Sequence, residues 1–144
     1  MNINPYLNFP GTTEDAFNFY KSVFGGEFSM VQRFKDAPDG DKMPANLQNQ
    51  IMHIALPLAP GYILMATDAP AEMGFSLQPG NNYYITIGPD SREDAKRLFD
   101  GLSAGGKIEQ DLQDMFWGAY YGSFEDKYGV RWMVNYHPQH AQAK

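Results

Sequence analysis

One histidine of this sequence lies where its residue type and surroundings could support acid–base chemistry or ligand contact. His53 sits within the apolar run Gln50–Leu58, which predicts a β-strand. Strand alternation puts Ile51, Ala55 and Pro57 on the same face as this imidazole. A lone histidine on such a face is either a hydrogen-bonded structural residue or a base or ligand contact in a pocket, because imidazole titrates near neutral pH. Both interpretations stay open from the sequence.

A second group of polar side chains lies near the N-terminus. Tyr6 and Asn8 alternate with Leu7 and Phe9, so one face of a strand here carries polar groups while the other packs beneath a helix. The polar face either lines a ligand site or is the solvated face of an edge strand.

Aromatic residues make up 15% of the chain, and several fall on predicted strands. They either fill the core or form a stacking wall for a flat ligand. Methionines can line the same wall, because a flexible thioether adapts to varied ligands. The candidate ligand contacts of these two types are Tyr84, Trp117, Tyr120, Trp132, Met65 and Met133.

Several kinds of chemistry are excluded by what the sequence lacks. The chain has no cysteine, which removes disulfides, thiolate nucleophiles and Cys-based metal sites. It has no phosphate-binding loop, no dinucleotide fingerprint and no nucleophile elbow. The net charge of −6 has the wrong sign for a phosphate backbone, so we expect no nucleic-acid partner.

Length and composition predict one folded domain of 144 residues, with 43% hydrophobic and 19% charged residues. The first residues have neither a basic region nor an apolar signal segment, and no apolar run approaches the roughly 18 residues that cross a bilayer. We therefore expect a cytoplasmic protein that does not associate with membranes.

An internal repeat organises these elements. Pro5–Gly26 aligns with Tyr84–Gly105 at an offset of 79 residues, and each copy predicts a strand, a proline turn, an acidic first helical turn and a glycine stop. Helical spacing predicts one buried stripe in each copy. The stripes are Ala16, Phe19, Tyr20 and Val23 in the first copy, and Ala95, Leu98, Phe99 and Leu102 in the second.

Strand-like segments follow each predicted helix, and turn residues join the last two as hairpins. These segments are Gln50–Leu58, Gly61–Ala66, Ile108–Leu112, Trp117–Phe124 and Val130–Tyr136. Lys35–Asn49 is predicted to be a long loop. The chain therefore divides into a βαβββ repeat over about residues 3–67, a linker over about 68–80, a second βαβββ repeat over about 81–136 and a tail over 137–144.

The sequence resembles the vicinal oxygen chelate superfamily, which contains glyoxalases, bleomycin resistance proteins and extradiol dioxygenases. The resemblance is carried by FYKSVFGG at Phe19–Gly26 and by the aromatic segment Phe116–Trp132, and it is closest to the PhnB-like branch through PYLNF at Pro5–Phe9 and DKYGVRWM at Asp126–Met133. The resemblance implies an α+β fold of two βαβββ modules that form curled mixed sheets around a cavity.

Metal enzymes of this superfamily take His, Gln or Glu ligands from the first and last strand of each half, and leave two positions open for substrate oxygens. In this sequence the four corresponding places hold Pro5 or its neighbours, Met65, Tyr84 and Met133. We therefore expect no metal cofactor.

Two kinds of activity and one non-catalytic role stay open. The leading hypothesis is a small organic molecule bound in the sheet cavity without a metal, with or without catalysis, and with His53 as the candidate catalytic residue. The first alternative is a divalent-metal lyase, isomerase or dioxygenase whose relocated ligands include His53 with Asp68 or Glu125. The second is an interaction module. We expect a homodimer, because superfamily cavities are commonly completed by a second chain.

Overall fold

Two four-stranded mixed sheets contain most of the regular structure of residues 1–138, the part of the chain that this computed structural model describes. Each sheet belongs to its own compact unit, the first formed by Met1–Gln78 and the second by the chain from Pro79 onward. Both units follow the order strand, helix and three strands, and short helical turns interrupt the first. The predicted α+β class with two βαβββ modules is confirmed. Most of the predicted tail, residues 139–144, lies outside the described residues.

In the first unit the strand order is β1-β4-β3-β2, with β1 parallel to β4 and the other neighbours antiparallel. Its elements are β1 (Tyr6–Phe9), α1 (Thr13–Phe24), β2 (Met30–Arg33), α2 (Ala45–Gln48), β3 (Ile51–Ala59) and β4 (Tyr62–Asp68), with 3₁₀ turns at Phe34–Asp36, Gly40–Lys42 and Ala71–Met73. The residues of β2 were not identified from the sequence, and the predicted loop Lys35–Asn49 contains α2, the second 3₁₀ turn and all but the first residue of the first.

In the second unit the order is β5-β8-β7-β6, with the same pattern of parallel and antiparallel neighbours. Its elements are β5 (Ile85–Ile87), α3 (Arg92–Ser103), β6 (Lys107–Asp114), β7 (Tyr120–Glu125) and β8 (Arg131–Tyr136). None of the helices in residues 1–138 combines the length and the hydropathy needed to span a bilayer.

The helices confirm the repeat. Both ends of α3 lie 79 residues after the ends of α1, from Thr13 to Arg92 and from Phe24 to Ser103. The predicted stripe of α3 is buried as a whole. In α1 the prediction was partly wrong, since the buried residues include Phe17 while Phe19 and Val23 are only half-buried. Helical periodicity predicts that one side of the helix is buried. How the helix is rotated on the sheet beneath it determines which residues at the edge of that side are covered.

Two buried aspartates tie these elements together. The Asp68 carboxylate ends β4 and accepts hydrogen bonds from the backbone N–H groups of Thr13, at the start of α1, and Ile51, at the start of β3, at 3.0 and 2.8 Å. It therefore satisfies one of the free N–H groups of the helix terminus, where Thr12 makes no side-chain capping bond. The predicted linker thus begins after Asp68, which is part of the sheet.

Asp126 has the corresponding role in the hairpin between β7 and β8. Its carboxylate accepts hydrogen bonds from the backbone N–H groups of Tyr128 and Val130, at 2.8 and 3.0 Å, and from the indole N–H of Trp132 at 2.8 Å. Only 2% of Asp126 and none of Trp132 is exposed. The hairpin and the core of the second unit therefore share one buried carboxylate.

Candidate functional site

The face of the first sheet that α1 does not cover carries the candidate residues of the first unit. Tyr6 pairs with Met65, Met65 with Ala55 and Ala55 with Met30, so these four residues form a row across all four strands. Their neighbours along β3 and β4 point to the opposite side and are buried, where α1 contacts both strands. We call the uncovered side the first open face.

A second row on the first open face is polar and contains no Asp, Glu, Lys or Arg side chain. Asn8 pairs with Thr67, and Gln32 pairs with His53. The two rows therefore place an aromatic and thioether strip directly beside a strip of hydrogen-bonding groups. Such a surface suits an uncharged apolar body with a polar edge.

Tyr6 and His53 contact each other on this face. The Tyr6 hydroxyl lies 3.0 Å from His53 Nδ1, and the two ring centroids are 5.6 Å apart with 25° between the ring planes. Burial raises the pKa of the Tyr6 phenol, so the hydroxyl keeps its proton at neutral pH. The sequence predicted each residue separately, but their contact could not be seen there because they are 47 positions apart in the chain.

The predicted surroundings of His53 were wrong in one respect. Gln32 pairs with His53, but the next residue, Arg33, pairs with Ile51, so β3 contains a bulge at Met52. A bulge interrupts strict alternation. Ile51 is fully buried while His53 is partly exposed, and the two residues therefore do not share an environment.

The second sheet has an equivalent row on the side that α3 leaves uncovered, which we call the second open face. Thr86 pairs with Met133, Met133 with Ser123 and Ser123 with Gln110. The Thr86 hydroxyl donates to the Met133 sulfur at 3.6 Å. The residue opposite Met133 is therefore Thr86, whereas the repeat assigned Tyr84 to the ligand position of this strand. The helix offset of 79 residues carries Tyr6 to Ile85, so the strand register is shifted by one residue relative to the helices.

An ion-pair network that sequence reasoning missed lies at one end of this face. The buried Arg131 guanidinium forms an ion pair with Glu109 and donates a hydrogen bond to the Tyr84 hydroxyl at 3.0 Å. Tyr84 donates in turn to Glu109 at 2.9 Å, and Glu125 lies 3.7 Å from the guanidinium. These contacts with Tyr84 and Glu109 raise the pKa of Arg131 further. The sequence signal for this network was the arginine within a predicted core strand, because a buried guanidinium requires charged or polar partners.

Two of the aromatic residues proposed as ligand contacts, Tyr120 and Trp132, do not lie on the second open face, and a third, Trp117, lies outside the strands. Trp132 is fully buried and donates to Asp126. Tyr120 packs under the Arg92 guanidinium, 3.8 Å from its ring centroid. Trp117 precedes β7 instead of starting it, and half of its surface is exposed beside Phe116. The strand begins at Tyr120, and alternation then turns both Tyr120 and Trp132 away from the side that carries Met133.

The side chains at the four strand positions do not fit a hard divalent cation. The paired positions are Tyr6 with Met65 in the first unit and Thr86 with Met133 in the second. Thioethers and neutral hydroxyls are poor ligands both for hard ions, which prefer carboxylate oxygens, and for zinc, iron and nickel, which also take imidazole nitrogens. In residues 1–138 there is also no group of three or more His, Asp or Glu side chains placed to hold a metal ion.

The carboxylates suggested as relocated ligands are engaged elsewhere. Asp68 receives two backbone N–H groups inside the core of the first unit, and Glu125 lies beside the Arg131 guanidinium in the second. His53 is bound to Tyr6 through Nδ1. The contacts of these three side chains offer no support for a relocated metal site.

Comparison with known proteins agrees with this architecture. The sequence profile of the Glyoxalase/Bleomycin resistance protein/Dioxygenase superfamily matches residues 2–134. Protein YjdN of Escherichia coli strain K12 is 32% identical over 143 residues, covering 94% of this chain and 95% of that protein.

Two solved structures are similar over nearly their whole length. Protein PA1353 from Pseudomonas aeruginosa has 34% identity and a TM-score of 0.83, covering 95% of this chain and 98% of that one. The PhnB protein from Bacillus cereus, described as a putative 3-demethylubiquinone-9 3-methyltransferase, has 26% identity and a TM-score of 0.69, covering 94% and 99%. The chain therefore belongs to the Glyoxalase/Bleomycin resistance protein/Dioxygenase superfamily, in its PhnB-like branch.

Proposed function

We propose that this protein binds a small organic molecule on the first open face and does so without the divalent metal of the superfamily. The observation that carries the proposal is the composition of that face. An apolar row of Tyr6, Met65, Ala55 and Met30 lies beside a polar row that contains no Asp, Glu, Lys or Arg side chain. The apolar row offers a packing surface and the polar row offers orientation, which are the two components of a small-molecule site.

Binding is better supported than catalysis. His53 is the one imidazole in the two rows of the first open face, and these rows contain no carboxylate. Enzymatic proton transfer at neutral pH commonly uses an acid and a base with separated pKa values. The metal-dependent alternative depends on His53 alone.

A homodimer and a cytoplasmic location are further proposals. The homodimer is favoured by the exposed apolar side chains of Met30 and Val31 on the edge strand β2.

Purified protein is expected to contain well under one equivalent of zinc, nickel, manganese or iron after dialysis. The reason is that the four strand positions provide thioether and hydroxyl groups in place of imidazole and carboxylate. Elemental analysis by mass spectrometry measures the content. Stoichiometric metal that disappears in His53→Ala would instead establish the metal-dependent alternative.

Ligand binding is expected to move the NMR signals of methionines on the first open face. With ¹³C-methyl methionine, acetophenone serves as a small probe that has a flat apolar ring and one polar group. Titration should shift Met30 and Met65 and leave Met73, which lies in a 3₁₀ turn outside the two rows, unshifted. Signals that move equally for all methionines, or not at all, would contradict the proposal.

A pair of matched variants tests the contact. Met30 and Met73 are exposed to similar extents, 44% and 39%. Met30→Gln is expected to weaken acetophenone binding by about 3- to 10-fold, because it removes apolar contact. Met73→Gln should leave the affinity unchanged.

A further inference from the structure

We propose that Tyr6 holds His53 in the neutral tautomer that carries its proton on Nε2, so that His53 presents a hydrogen-bond donor on the first open face and selects ligands with a carbonyl or oxyanion acceptor. This inference deepens the proposed function and rests on it. Tyr6 acts here as a positioning residue, because it determines the state of His53.

The geometry of the pair fixes one nitrogen of the imidazole. Tyr6 lies on β1 and His53 on β3, with β4 between them, so the tyrosine side chain reaches across one strand to place its hydroxyl 3.0 Å from Nδ1. The near-parallel rings keep the imidazole plane in a defined orientation. Only one hydrogen atom can lie between the two heavy atoms, either on oxygen or on Nδ1.

Chemistry decides which partner donates. A phenol O–H is a stronger acid than the N–H of a neutral imidazole, and the unprotonated imidazole nitrogen is a stronger base than a phenol oxygen. The favoured bond therefore runs from the Tyr6 hydroxyl to Nδ1. A neutral imidazole has one N–H, so Nε2 must carry it.

The Nε2 proton is then available to a ligand. The structure shows no hydrogen bond from Nε2 to another residue in the described part of the chain. Asp68, which follows Thr67 on β4, accepts hydrogen bonds from backbone N–H groups, and Glu14 of α1 is paired with Arg33. Gln32, which pairs with His53 on β2, carries no charge, and neither does Thr67, which follows Ala66, the β4 partner of Ile54. The complementary group on a ligand is therefore an acceptor.

The apolar row defines the rest of the ligand class. A carbonyl or oxyanion bonded to Nε2–H lets the attached apolar body lie over Met65, the partly exposed neighbour of Tyr6 in the apolar row. An ammonium ion would meet another donor at Nε2 and no carboxylate in either row. The inference is thus a preference for flat molecules bearing a carbonyl, carboxylate or phenolate over amines of the same size.

The tautomer is tested directly by ¹⁵N NMR of the imidazole at pH 8, with the His53 signals assigned by their loss in His53→Ala. The expected pattern is a protonated Nε2 and an unprotonated Nδ1. Tyr6→Phe should shift both nitrogens toward the values of a free imidazole, whereas Tyr62→Phe, which removes the hydroxyl of an exposed tyrosine on β4, should shift neither. A proton on Nδ1, or an unchanged pattern in Tyr6→Phe, overturns the inference.

Ligand selection is tested with three probes of one size, acetophenone, benzoate and benzylamine. We expect the first two to shift His53 Nε2 and the Met65 methyl signal, and to bind at least tenfold more tightly than benzylamine. Tyr6→Phe should reduce that ratio several-fold. Equal binding of benzylamine overturns the inference and leaves the proposed function standing, whereas no binding of any probe overturns both the ligand class and the proposed function, whatever the tautomer.

Discussion

Asp126→Ala is expected to lower the free energy of unfolding of the second unit by roughly 3–5 kcal/mol. The substitution removes the acceptor of two backbone N–H groups and of the Trp132 indole N–H. Trp132 has no exposed surface, so water cannot replace the lost partner without opening the core. Burying an unpaired donor costs about 1–3 kcal/mol for each group.

Urea denaturation followed by tryptophan fluorescence measures this effect, because Trp117 and Trp132 both lie in the second unit. Asp90→Ala, at an exposed position before α3, is the control and should change stability by less than about 0.5 kcal/mol. In a double-mutant cycle, Trp132→Phe removes the indole donor, so the added cost of Asp126→Ala should fall. Equal costs in both backgrounds would show that the indole bond contributes little.

Asp68→Ala is expected to destabilise the first unit by roughly 2–4 kcal/mol. It leaves the buried N–H groups of Thr13 and Ile51 without their acceptor, and it removes a negative charge from the N-terminal end of the α1 dipole. Asp68→Asn should cost less, because its amide retains one acceptor oxygen.

Far-UV circular dichroism during urea denaturation is the suitable measurement, since the first unit contains no tryptophan. Asp15→Ala is the matched control, because Asp15 is exposed in the first turn of the same helix. Of the interactions made by Asp68, the Asp15 carboxylate shares only the one with the helix dipole, which contributes about 0.3–1 kcal/mol to stability. If the two alanine variants were equally stable, the buried hydrogen bonds of Asp68 would have no net effect.

Local signals in the sequence predicted the helices and most of the strands. The start of α3 at Arg92 follows Ser91, whose side chain accepts a hydrogen bond from the Asp94 N–H as an N-cap should. The residues of β2 escaped prediction because this strand is short and lies at a sheet edge with exposed apolar side chains. An edge strand buries too little to impose an alternating pattern.

The sequence by itself determined the α+β class, the two βαβββ modules and the absence of imidazole and carboxylate at the expected ligand positions. These features depend on amino-acid composition, on the periodicity of apolar residues and on residues that are close to one another in the sequence. Only the tertiary structure decided that Tyr6 bonds to His53, that Thr86 faces Met133 and that Trp132 is turned into the core. The physical reason is that strand register and bulges determine which side chains meet, and a shift of a single residue reverses the face on which each side chain lies.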